Sequence, residues 1–515
     1  MMKLISLLSR LIGLAVLLAA GAIAAVANLM DPSEYKSEIS ALVDRHFDRE
    51  LDLRGDLDIT FFPWLGVRAE RIVLSEHADF GGRTMFTADH ASFRVKLLPL
   101  LRKRFEIDRI ALAGPRLSLR RRADGSANWD DLIAAFGLQN KRAPAAAGLA
   151  GLAVLGISVD DGSFAWQDRS GGAFNDFTVD ALQVRADSLT PGAPSPIIMS
   201  ARLPGWQPQP AVLTLKTSAF ISRDLKTAAL HDTELRAEGA DDYGGVLSIA
   251  AISYSRPDGR GEFEGISATH LRGDATSQLR AETLSFDLAE GSFNLPKFEL
   301  AQGDFETRGA IYGAQLGAAP QLSARLRVRA GDVADLFSRH GFAFTPPVRI
   351  DDFDGGFDLR LGDGRLGVEF LTADLTLNHH PSKLTASGFN IDLAALFDGA
   401  APPEDSAVSF GKFTLTQDDF LLRASGALPA RGEVEARSDD IEGWLARNAL
   451  DVKLPRGLSG GVGINCRFEY ASGWLAVHDM KGEADGGLGW DVPYAEIPAD
   501  NFESVVAAIL QAPPQ

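Results

Sequence analysis

Cysteine is all but missing. Cys466 is the only one in 515 residues, so no intramolecular disulfide can form. A fold without that staple must hold itself by burial, and a lone thiol of this kind reads as a small buried apolar side chain. Basic residues are short as well, 51 Lys and Arg against 69 Asp and Glu, for a net charge of −18. The deficit is uneven: residues 1–150 carry 21 basic and 18 acidic side chains, and residues 151–515 carry 30 and 51. So acidic a body repels nucleic acid and excludes it as a partner. Catalytic signatures are lacking too, with no GxSxG, no P-loop and no Ser-His-Asp pattern. The nine histidines are scattered, and only His379 and His380 are adjacent. Neighbours on a strand point to opposite faces, so those two share no metal unless they lie in a turn. Five acid pairs (Asp130-Asp131, Asp160-Asp161, Asp351-Asp352, Asp418-Asp419, Asp439-Asp440) have no calcium-loop pattern around them. They are expected at turns and helix starts, where Asp accepts from backbone amides. The chain therefore reads as a non-enzyme without a cofactor.

Long hydrophobic runs number one. Leu11–Ala27 has no polar side chain, and Leu29 and Met30 extend it past Asn28. At ~1.5 Å per residue, Leu11–Met30 makes a helix of about 30 Å, enough to cross a bilayer. Lys3 and Arg10 precede it while Asp31 and Glu34 follow, which places the N-terminus in the cytoplasm and the body on the far side. Ala25-Val26-Ala27 also reads as a signal-peptidase site. The apolar run continues past it to Met30, which favours a retained anchor over cleavage after Ala27, and both readings export the body.

Helical periodicity is sparse beyond that point. Asp31-Pro32-Ser33-Glu34 opens a helix with Tyr35, Ile39, Leu42, Val43 and Phe47 on one face. Short helices are predicted at Asp130–Phe136, Asp332–Arg339 and Asp440–Arg447, a linker at Lys141–Gly148, and a terminal helix from Asp500.

Period two dominates instead. Leu51, Leu53, Leu57 and Ile59 alternate with charged or small residues, and so do Phe93, Val95 and Leu97, then Leu117 and Leu119. In the plainest case Leu322, Ala324, Leu326, Val328 and Ala330 alternate with Ser323, Arg325, Arg327 and Arg329. Phe357, Leu359 and Leu361 lead into Gly362-Asp363-Gly364, and Leu366, Val368 and Phe370 return, a hairpin. Ala373, Leu375 and Leu377 read as the next strand, and Arg256-Pro257-Asp258-Gly259 as another turn.

The body repeats. Lys297-Phe298-x-Leu300-x-Gln302-x-Asp304-Phe305 recurs from Lys412 to Phe420; Val333-x-x-Leu336-Phe337-x-Arg339 is echoed from Ile441 to Arg447; and Phe357-x-x-Arg360-Leu361 is echoed from Ile464 to Phe468. Three echoes in one order imply two copies of a strand-helix-strand unit of roughly 110 residues. In that alignment Cys466 takes the place of inward Leu359.

The run Phe93-Arg94-Val95-Lys96-Leu97-Leu98-Pro99-Leu100-Leu101, then Ile107-x-x-Ile110, Gly114-Pro115, Asp124-Gly125 and Asn128-Trp129, resembles the AsmA family of envelope proteins. Phe62-Pro63-Trp64-x-Gly66 upstream and Asp161-Gly162-x-Phe164-x-Trp166 downstream agree with it. The resemblance is strong over residues 1–200 and architectural beyond. It implies an inner-membrane anchor, a periplasmic body, and a mainly β fold: an N-terminal transmembrane helix, then a long, twisted, mostly antiparallel sheet curled into a groove, with a few short helices. It also implies phospholipid transport between two membranes, or else support of outer-membrane protein assembly without lipid transport.

On that reading the expected partners are phospholipids, the inner membrane and outer-membrane or assembly proteins. The groove would be lined by Phe93, Val95, Leu97, Leu117, Leu119, Leu326, Val328, Leu359, Leu361, Leu375 and Leu377, and headgroups would meet Arg102, Lys103 and Arg104. Arg120-Arg121-Arg122 is the other dense basic cluster; solvated strand ends are the simpler account of both. Pro63, Gly66, Pro99, Gly114, Pro115, Asn128, Trp129, Gly162 and Trp166 mark the family pattern. The expected divisions are 1–30 anchor, 31–150 N-terminal region, 151–290 middle β region, 291–498 repeated units and 499–515 terminal helix and tail.

Overall fold

The computed structural model describes residues 32–498 outside 61–63, 97–105, 136–152, 171–175, 206–209, 316–319, 340–348, 393–407 and several segments of one to three residues. The expected span Leu11–Met30, the linker Lys141–Gly148, the terminal helix from Asp500, and Pro63, Leu97, Pro99, Arg102, Lys103 and Arg104 lie outside the described residues. Among the described residues no helix is long and apolar enough to cross a membrane. They hold twenty-seven strands and four α-helices, with almost all strand pairs antiparallel. The chain divides into two compact units, Met1–Asp274 and Ala275–Gln515, a division inside the expected middle region of residues 151–290.

The first unit opens with α1 (Pro32–Phe47), the amphipathic helix announced by its Asp-Pro start, and Lys36 donates from it to the carbonyl of Gly55 at 2.7 Å. Strands β1 (Leu51–Leu53) and β2 (Leu57–Thr60) share one long partner, β3 (Trp64–Ser75), which pairs on with β4 (Thr84–Lys96). Strands β5 (Glu106–Ala113) and β6 (Arg116–Arg121) form one line bent at Gly114-Pro115. Gly114 has φ +58°, and a Cβ there would sit 2.1 Å from a carboxylate oxygen of Asp89, so the bend admits only glycine. After α2 (Asp130–Ala135), strands β7 (Ala153–Val154) and β8 (Ile157–Asp168) return parallel to β5 and β6. A parallel return needs a long crossover, which the stretch holding α2 supplies. The rest is an antiparallel series: β9 (Asp176–Ala186), β10 (Ser195–Leu203), β11 (Ala211–Ile221), β12 (Thr227–Glu238), β13 (Gly244–Ser255) and β14 (Arg260–Arg272).

In the second unit each strand pairs with the next. The series is β15 (Ala275–Asp287), β16 (Ser292–Gln302), β17 (Phe305–Ala314), β18 (Gln321–Asp332), α3 (Val333–Arg339), β19 (Ile350–Gly362), β20 (Arg365–Leu377), β21 (His380–Asp392), β22 (Val408–Gln417), β23 (Phe420–Leu428), β24 (Arg431–Ser438), α4 (Ile441–Arg447), β25 (Val462–Ala471), β26 (Trp474–Ala484) and β27 (Leu488–Pro498). The repeated segments have the same element order: β16-β17-β18-α3-β19 corresponds to β22-β23-β24-α4-β25. The carboxylate of Asp440 caps α4 by accepting from the amide of Gly443 at 2.9 Å.

Two expectations need correcting. Ala373, Leu375 and Leu377 are not a separate strand, because residues 365–377 form β20 unbroken. Leu359 pairs Val368 while Phe357 pairs Leu371, so a bulge takes up an extra residue and reverses the alternation. Phe370 is thereby turned to the other face and half exposed. Asp160-Asp161 and Asp351-Asp352 are neither turns nor helix starts: Asp161 and Asp352 lie inside β8 and β19 with left-handed φ of 52° and 49°. Arg71, Ala181, Asp232 and Asp479 do the same in β3, β9, β12 and β26. Each marks a bulge, which bends its strand and deepens its twist, and Asp tolerates that conformation better than most residues. His379 does lie in a turn: Asn378 and His379, with φ of 48° and 72°, form the two-residue hairpin that joins β20 to β21.

Dense packing is local. Phe420, Ile441, Trp444, Leu445, Val462, Ile464, Cys466, Val477, Met480 and Trp490 close a core beneath α4, with Val477 and Met480 at 0% exposure. Cys466 is an apolar filler there, its thiol pushed up to about 11 by burial. Ala373, Leu375 and Leu377 form a smaller buried cluster with Ile350, Phe353, Leu371, Leu384 and Leu415 around it.

Candidate functional site

Paired residues on neighbouring strands project to the same side, so the registers can be followed from strand to strand. In the first unit Leu57–Ala69–Ala91–Leu112–Val159–Val184–Met199–Leu215–Leu235–Leu247–Ala268 are successive partners across the sheet, every one apolar. In the second unit the row runs Ala281–Phe298–Gly309–Leu326–Phe357–Leu371–Ala386–Phe413–Ala424–Val434–Cys466. Gly309 is required in that row, since a Cβ would meet the Arg325 carbonyl oxygen at 2.1 Å.

Leu57, Ala69, Phe298, Ala386 and Cys466 are buried, and the other members of these rows are not. From Ala91 to Ala268 each member is half-buried, and so are Leu326, Phe357 and Leu371. A cavity of about 690 Å³ opens beside Leu322, Leu361, Val368 and Phe389 in the second unit, and one of about 580 Å³ beside Trp166, Phe177 and Leu203 in the first.

The opposite face is ionic. Arg325 pairs with Asp358 at 2.8 Å, and Arg327 and Arg329 both pair with Asp354, at 2.7 and 3.0 Å. Hydrogen bonds from Arg327 first, then Arg329 and the charge of both, outweigh burial and hold the Asp354 carboxyl down to about 2.

The expected lining residues divide. Leu326 and Val328 lie half-buried on β18, and Leu359 and Leu361 line the same face on β19. Leu117 and Leu119 pair Phe164 and Trp166 on β8. Phe93 stands in a neighbouring row, Val67–Phe93–Ile110–Ile157, at 36% exposure, whereas Val95 is closed off at 2%. Leu375 and Leu377 belong to the packed cluster rather than the open face. Sequence reading missed Met199, Leu215, Leu235 and Leu247; the period-two signal was there in β10 to β13, but strand partners cannot be read from it.

The family-pattern residues build the end of the first unit. Asn128 is fully buried; its side-chain oxygen accepts from the Arg120 amide at 3.0 Å, and its nitrogen donates to Glu76 at 2.7 Å and to the Ser118 carbonyl at 3.1 Å. Glu76, equally buried, also takes the Arg120 guanidinium. Arg49 donates to the Asn128 carbonyl and forks onto Asp131 at 2.7 and 2.8 Å. Burial alone would raise the Asp131 carboxyl, but hydrogen bonds and charge from Arg49 prevail and lower it. Trp129 packs on Trp166 at 5.2 Å, and the Arg121 guanidinium lies 5.7 Å from each ring. Gly66 and Gly162 are buried in β3 and β8, and Pro115 beside the Gly114 bend. Arg120-Arg121-Arg122 is thus held by buried and aromatic partners instead of being a solvated strand end. Among the described residues no group of three or more His, Cys, Asp or Glu is placed to hold a metal.

Residues 1–204 match the family model of the AsmA family. Over that stretch the chain is similar to the AsmA family. No curated protein matches the sequence. That likeness and the large β-sheet together fit a role in the cell envelope.

Proposed function

We propose that this AsmA-like protein shelters phospholipid acyl chains along the apolar faces of its sheets and conducts them through the periplasm, without catalysis. Leu11–Met30 would hold it in the inner membrane with the body outside. The observation that supports the reading is the pair of in-register apolar rows, mostly half-buried, in a molecule whose core beneath α4 is fully closed. A face that served only as a core would be covered to the same degree. Each methylene moved from water onto such a face recovers ~0.8 kcal/mol, so a lined face removes most of the barrier to carrying a chain through water. Transfer along it needs no bond to be made or broken.

Photo-crosslinking residues placed at Leu235 and Leu326 of the full chain test this. Phospholipid adducts at both, and none from position 325 on the ionic face, are expected. Adducts to protein alone would turn the reading to an assembly scaffold, and a face that yields no adduct at all would end the lipid reading.

A further inference from the structure

Beside the Asn128 network lies a third, different cavity, of about 440 Å³, lined by Phe80, Gly81, Ala123, Gln167 and five arginines: Arg83, Arg120, Arg121, Arg122 and Arg169. Its size falls in the ~300–1,000 Å³ range of small-molecule pockets. Three carboxylates answer the five guanidinium groups. Glu76 holds Arg120, Asp168 reaches Arg121 at 3.3 Å, and Asp176 reaches Arg169 at 3.2 Å. Among the described residues neither Arg83 nor Arg122 has an ion-pair partner. Asp124, whose carboxyl is lowered first by Ser126 and only in part by Arg122, is committed to its own turn.

Three of the arginines are also fixed in place. Arg120 is tied to a glutamate at 1% exposure. Arg121 lies against Trp129 and Trp166. Arg122 donates to the Asp79 carbonyl and covers the Phe80 ring at 4.0 Å. Guanidinium groups held this way lose little freedom on binding, and their planar forks match the oxygens of a phosphate. Two uncompensated positive charges also suit a phosphomonoester, which carries about −1.5 to −2 at neutral pH.

We propose that this pocket binds a phosphate ester, either a lipid headgroup or a soluble phosphorylated compound. No member of the apolar rows lines this pocket, although Gln167 also lines the cavity beside Trp166, and the proposal does not rest on the acyl-chain reading.

The test uses the full chain in detergent. Glycerol 3-phosphate is titrated by calorimetry, and retained phosphatidic acid is compared with diacylglycerol of the same tails by native mass spectrometry. The variant is R83Q/R122Q, which leaves the buried Arg120–Glu76 pair intact, with R325Q on the ionic face of β18 as control. The double variant is expected to weaken phosphate binding by roughly tenfold or more, about 1.4 kcal/mol, with R325Q unchanged. Loss of glycerol 3-phosphate binding identifies a site that reads free phosphate esters. Loss confined to phosphatidic acid, with diacylglycerol retained, identifies a headgroup site. Equal binding by wild type and R83Q/R122Q, or no binding of either phosphate by wild type, overturns the proposal. Diacylglycerol retention reports on the apolar rows separately, so the two readings can fail independently.

Discussion

Leu326→Glu puts a carboxylate at the middle of the second unit's apolar row, between Gly309 and Phe357. Strands are ~4.8 Å apart, so an acyl chain lying across them places about three methylenes over each lining position. At ~0.8 kcal/mol per methylene, exposing them again costs about 2–3 kcal/mol, roughly a 50-fold loss of affinity for that stretch of chain. Leu326 is only half-buried, so the new carboxylate can stay hydrated and the fold should survive. The assay is phospholipid retained per mole of purified full chain, with thermal melting as the check on folding. Arg327→Ser on the ionic face is the matched control and should keep its lipid. If L326E melts like wild type and retains as much lipid as R327S, the face does not carry acyl chains and the reasoning is refuted.

Asn128→Ala removes three hydrogen bonds of a fully buried side chain and takes that partner from the Arg120 amide and the Ser118 carbonyl, leaving Glu76 to Arg120, so about 2–4 kcal/mol of stability should go in chemical denaturation, against under about 0.5 for Arg169→Ala. Asp354 is lowered from its ordinary value to about 2 by Arg327 and Arg329, so it contributes stability above the unfolded carboxylate range that is lost as pH falls towards 2. Its partners are largely exposed, which limits the effect to about 1 kcal/mol, and Asp354→Asn should flatten that part of an acid-unfolding curve. Cys466, with its thiol pushed up to about 11, should resist iodoacetamide near neutral pH in the folded chain and react fully in denaturant; rapid native labelling would contradict the closed core. Gly482→Val should destabilise the second unit, since even a Cβ there falls 1.9 Å from the Trp490 ring, and an unchanged melting temperature would count against that packing.

Much of the architecture was legible because its signals are local. Period two in Leu322–Ala330 needs only the pleat, the Asp440 cap only one helix start, and the Gly362-Asp363-Gly364 hairpin only two flanking runs. The repeat was legible for the same reason, since both copies preserve element order. β20 was misread because a bulge reverses alternation just as a strand end does. Arg83 was not singled out at all: it enters the arginine pocket from the turn before β4, far in sequence from Arg120 and Arg169.

The chain by itself therefore determined the β character, the acidic body, the helix starts, most turns and the likeness of residues 1–204 to the AsmA family. Tertiary structure alone decided which apolar positions stand side by side, where alternation slips, and which of them are closed off. Leu326 and Leu375 carry the same side chain in similar alternating runs, yet one lines an open face and the other a packed cluster. Burial depends on what lies over a side chain, and that is set by strand register and by partners distant in sequence, neither of which leaves a local trace.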